Sequence, residues 1–102
     1  MIPWIHSDFH ASDDAGHMHI SGEFARDDIR QQKVVLRDGL KVILYDADAA
    51  DSGQSVWLTI PGTVRPGKNG EWVVELEYAR KQHMAWNARP KVCTKFFPDT
   101  TG

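Results

Sequence analysis

Polar and apolar residues alternate along residues 4–10 and again along 17–20, and Ser12-Asp13-Asp14-Ala15-Gly16 between them is a run of turn formers. The pattern predicts an N-terminal β-hairpin within residues 1–22. Residues 24–33 carry acids at the front (Asp27, Asp28) and bases behind (Arg30, Lys33), the polarity that suits a helix dipole. Apolar positions are few there, so one or two turns of surface helix are expected. Past Arg37-Asp38-Gly39, residues 40–45 are rich in apolar and β-branched side chains and predict a strand ended by the polar loop 46–53. Residues 56–64 predict a second, with Val56, Leu58 and Ile60 on its inward face and a bulge or bend at Pro61-Gly62. Pro66-Gly67-Lys68-Asn69-Gly70 is the clearest turn, and residues 71–78 return from it with Trp72, Val74, Leu76 and Tyr78 on one side and Glu75 and Glu77 on the other. Residues 79–86 suit a short helix stopped by Pro90, and residues 91–97 a sixth strand.

The sum is a mainly β domain over residues 1–102: a hairpin, a three-strand meander over 34–78 and a C-terminal extension over 79–102. Five or six short strands bury a shared apolar face and remove exposed edges by closing into a small, partly open barrel with one or two short helices. Asp38-Gly39-Leu40-Lys41-Val42-Ile43-Leu44 and Gly70-Glu71-Trp72-Val73-Val74 resemble strands of the SH3-like barrels. His6-Ser7-Asp8-Phe9 and this arrangement also resemble small bacterial proteins, a likeness that implies no function.

At 102 residues and 11.5 kDa, with 41% hydrophobic and 25% charged residues, the chain suits one folded core. Residues 1–51 hold 5 basic and 10 acidic side chains and residues 52–102 hold 7 and 4, so the net −2 hides halves of −5 and +3 that folding can set against each other. Such a balance predicts neither a nucleic-acid nor a membrane surface. Cys93 is the single cysteine, which excludes an internal disulfide and suits a reducing compartment. With no secretory pattern at Met1-Ile2-Pro3-Trp4, the expected location is the cytoplasm.

The densest chemistry is N-terminal, where His6, His10, His17 and His19 fall together with Asp8, Asp13 and Asp14. In a hairpin whose paired residues sum to 27, His10 faces His17 and Asp8 faces His19. His6, Asp8, His10, His17 and His19 then share one surface and Ser7, Phe9, Met18 and Ile20 the other. Opposed Cβ atoms about 5 Å apart let Asp8, His10, His17 and His19 converge on zinc, nickel or copper. A one-residue slip scatters that set, so a solvated histidine-rich face stands as the alternative, and mutual repulsion of charged imidazoles as a third.

Residues 79–97 hold Arg80, Lys81, Arg89, Lys91 and Lys95 without an acid, interleaved with Trp86, Phe96 and Phe97, a mixture that suits single-stranded nucleic acid when charge is not neutralised internally. Trp57 points away from Val56 and Leu58; left outside, it is a contact anchor for a partner, and covered by a terminal segment it is core. A strand after Pro66–Gly70 makes that loop a hairpin turn and not a phosphate loop, and Cys93 between Val92 and Thr94 reads as a buried thiol. No triad order, cofactor fingerprint or carboxylate pair in an apolar context predicts an enzyme. The expectation is therefore a small binding module acting on another protein, with Trp57, Arg80, Lys81 and Trp86 as partner-binding residues and a homodimer among the forms allowed. The alternatives are a metal-binding or metal-sensing protein and a single-stranded nucleic-acid binder.

Overall fold

The computed structural model describes residues 2–9, 17–20 and 22–86. Chain order is β1 (Trp4–His6), β2 (His17–His19), α1 (Glu23–Gln32), β3 (Lys41–Ala49), β4 (Ser55–Pro66), β5 (Trp72–Leu76), a 3-10 turn (Tyr78–Arg80) and β6 (Gln82–Ala85). The protein is mainly β, and its six described strands form one sheet in the order β1-β3-β4-β5-β2, with β6 also on β4. The sheet does not close, because β1 and β2 occupy its two opposite ends.

That placement corrects the N-terminal hairpin. β1 runs parallel to β3, with Trp4 beside Ile43 and His6 beside Tyr45, while β2 runs antiparallel to β5, with His17 opposite Glu75 and His19 opposite Val73. An isolated two-stranded hairpin is marginal in water. Each three-residue strand gains more by adding to a longer, buried neighbour. The alternation survives the change of partner: Ile5, Ser7 and Met18 are buried, and Phe9 and Ile20 pack against the same core.

β3, β4 and β5 form an antiparallel meander. One register holds along all of β3 and β4, from Lys41 opposite Thr63 to Ala49 opposite Ser55. The other side of β4 is divided. Its C-terminal half, from Gly62 to Pro66, pairs with β5, and its N-terminal half, from Val56 to Thr59, pairs with β6. Pro61 sits at the change-over, where a residue without an N–H costs the ladder least, and its carbonyl accepts a hydrogen bond from the Glu77 N–H at 2.9 Å. Gly62 beside it is required by contact: a Cβ there would collide with Val74 and stand 2.8 Å from the Glu75 carbonyl oxygen.

Residues 79–86 thus do not form an α-helix. Their helix-forming composition yields to the unpaired edge of β4, and a 3-10 turn delivers Gln82–Ala85 to it as a strand. The sixth strand expected at 91–97, and Cys93 within it, lie outside the described residues.

α1 is longer than its sparse apolar pattern predicts, ten residues, because two of its faces are used. Ala25 and Ile29, four apart, pack on an aliphatic cluster of Ile5, Met18, Val42, Leu44, Val64 and Val74. Asp28 and Gln32, also four apart, cover the outer edge of β1. Gln32 accepts from the Trp4 N–H (3.0 Å) and donates to the Trp4 carbonyl (2.6 Å), and Asp28 accepts from the His6 N–H (2.9 Å). Lys33 ends the helix in the left-handed conformation at φ 55°, its N–H bonded to the Arg30 carbonyl.

Candidate functional site: a hollow beside an aromatic cluster

The switch of partners on β4 leaves a concavity. Residues in register share a face, so Trp4 on β1, Ile43 on β3, Thr59 and Pro61 on β4, and Gln82 and Met84 on β6 lie on the same side of the sheet. They line a hollow of about 380 Å³ together with Arg80, which the 3-10 turn sets at its margin. Thr59 is buried and its hydroxyl donates to the Gln82 carbonyl at 3.4 Å, tying the floor to β6.

The hollow adjoins an aromatic cluster. Tyr45 and Trp57 are buried, with Trp4, Met84 and Trp86 packed around them. Trp57 and Trp86 stack with centroids 4.5 Å apart and planes 4° from parallel, and the Trp57 indole N–H donates to the Trp86 carbonyl at 3.0 Å. Tyr45 meets Trp57 edge-on at 6.0 Å. Trp57 is therefore no exposed anchor: its exposure is 0%, whereas Val56 and Leu58, expected inside, are only half-buried. The physical reason is β6, which places Met84 opposite Trp57 and continues to Trp86. Of the other partner-binding residues, Arg80 and Lys81 are exposed and Trp86 is half-buried. Arg89, Lys91, Lys95, Phe96 and Phe97 fall outside the described residues.

A buried polar group ties this cluster to the helix. Asp28 is completely inaccessible and accepts from the Tyr45 hydroxyl at 2.6 Å as well as from the His6 N–H. A buried carboxylate without such donors would cost several kcal/mol. Here it joins α1, β1 and β3 at one point. The His6 ring lies edge-on to Phe24 and Tyr45, and its Nε2 stands 3.1 Å from Asp46. In the sequence Asp28 is legible only as one of two acids at the front of a surface helix.

Of the expected metal ligands, Asp8, His17 and His19 fall within the described residues. His17 and His19 share a face of β2, Asp8 is exposed beyond β1, and His10 is outside the described residues. β1 and β2 being at opposite ends of the sheet, the hairpin register that would have gathered Asp8 with His17 and His19 is not formed. Among the described residues, no group of three or more His, Cys, Asp or Glu side chains is placed to hold a metal ion. His19 instead approaches Glu71 at 3.7 Å.

Glu71 also closes the Pro66–Gly70 turn, accepting from the Asn69 N–H at 2.8 Å; that bond, its own N–H and the nearby His19 hold its carboxyl below the usual glutamate range. At the same end of β4, the hydrogen bond to Asp38 and the charge of Glu75 raise the Arg65 guanidinium still further above neutrality. Both lie away from the hollow, whose single charged lining residue among the described residues is Arg80. No protein-family model, curated protein or solved structure matches this chain.

Proposed function

We propose that this chain is a protein-binding module and that a segment of its partner inserts into the hollow between β1 and β6. The observation that carries the reading is an open concavity of mixed lining, with Trp4, Ile43, Pro61 and Met84 beside Thr59, Gln82 and Arg80. Its volume of about 380 Å³ is at the low end for ligand pockets and has room for one or two side chains. Trp4, Ile43, Pro61 and Met84 supply apolar walls, and the buried Tyr45 and Trp57 behind them keep those walls from collapsing. The reading assigns the chain no catalytic step.

In architectural terms the proposal keeps the partly open SH3-like barrel. β4 is long, changes partner midway and serves both halves of the sheet, which is how small β-folds turn corners. A lone cysteine supports work in a reducing cytoplasm.

Selection from a displayed random-peptide library tests the reading. Enriched peptides are expected to shift the methyl resonances of Ile43 and Met84 and the indole of Trp4 saturably. Peptides that bind while leaving all three unmoved would place the binding surface elsewhere.

A further inference from the structure

The lining of the hollow also specifies the chemistry of the inserted segment. Among the described residues that line it none is Asp or Glu, and the one charged side chain is that of Arg80. The exposed Lys81 follows, and the chain carries no acid between Glu77 and Asp99. We propose, resting on the groove reading above, that the segment presents an apolar residue directly followed by Asp or Glu. The apolar side chain fills the space between Trp4 and Met84, and the carboxylate pairs with Arg80.

Three features support this occupant. Arg80 ends the 3-10 turn, which sets its backbone at the margin of the hollow and leaves its exposed side chain within reach of the lining. Its planar fork takes a carboxylate through two parallel hydrogen bonds, which an ammonium cannot do. Its ion pair with Glu77 is long, 3.9 Å, between side chains 69% and 42% exposed. A pair of that kind contributes little in water and exchanges readily for an incoming carboxylate. Glu77 thus acts as a weak internal competitor.

Two blocked peptides isolate the charge: acetyl-Ala-Leu-Asp-Ala-amide and its isosteric Asn counterpart, titrated against the full chain while the Ile43 and Met84 methyls are followed by NMR. The Asp peptide is expected to bind up to about fivefold tighter, the range of one exposed charge pair. Arg80→Gln should erase that preference, so that the two peptides bind it alike, whereas Glu77→Gln should strengthen Asp-peptide binding. Equal affinity for the two peptides, or a preference that persists in Arg80→Gln, overturns the carboxylate assignment and leaves the groove reading standing. If neither peptide moves those methyls at millimolar concentration, the groove reading falls, and this inference with it.

Discussion

On one face of the sheet the buried residues are aliphatic, drawn from β1 to β5 and sealed by Ala25 and Ile29 of the helix. On the other, the hydrophobic cluster is aromatic, Tyr45 and Trp57 with Trp4, Met84 and Trp86 around them, and no helix covers it among the described residues. The first cluster rests on non-directional packing, where any side chain of the right volume serves. The second depends on directed contacts: an indole N–H on a carbonyl, a parallel ring stack, a phenol on a buried carboxylate. Rings locked by such handles can border an open space without sagging into it, and the hollow lies on that face.

Replacing one large, fully buried side chain of each cluster tests the contrast most severely. Trp57→Ala is expected to cost about 3–5 kcal/mol and Leu44→Ala about 2–5 kcal/mol. The signatures should differ: Trp57→Ala releases Trp86 and abolishes the near-ultraviolet circular dichroism of the stack, while Leu44→Ala retains it in the folded fraction. Equal loss of the aromatic signal in both folded variants would show that the clusters form one unit.

A smaller effect separates packing from directed contact within one residue. Tyr45→Phe keeps the ring and removes a 2.6 Å donor from a carboxylate with no access to water, so a loss of about 1–3 kcal/mol is expected by urea unfolding. A change within error would mean that Asp28 is satisfied without the phenol.

The smallest effect lies outside both clusters. Because folding lowers the Glu71 pKa, its contribution is present above the ordinary glutamate range and is lost as pH falls through the depressed value. The wild type should therefore lose stability on acidification more than Glu71→Gln does, and the two unfolding curves should converge below the glutamate range. Parallel curves throughout would remove the turn from the acid response.

The aliphatic face was the more readable in sequence. Alternation in β5 sets Val74 on the apolar side, β3 shows an apolar run that contains Val42 and Leu44 without dividing its faces, and Met18 is recognisable as inward despite its flanking histidines. Alternation reports which way a residue faces but not which strand lies beside it, so the N-terminal residues were oriented and then given the wrong partner. The aromatic face depends on β6, whose Gln-His-Met-Ala carries no strand pattern and forms only because half of β4 lacks a neighbour. With β6 unread, Trp57 remained undecided between surface and core, and Trp4, Ile43 and Met84 gave no hint of convergence. Arg80 and Lys81 were legible as charges, without the hollow that gives Arg80 its setting.

The edge of β1 carries a consequence of a different kind. A strand at the end of a sheet is a template on which other chains can grow, and three residues of Trp-Ile-His composition would be an adhesive one. Gln32 gives Trp4 both hydrogen bonds that a neighbouring strand would offer, and Asp28 occupies the next donor with a charge. Two side chains on one helix face thus impersonate the missing strand. An open sheet can remain unpolymerised at this end for as long as that imitation holds.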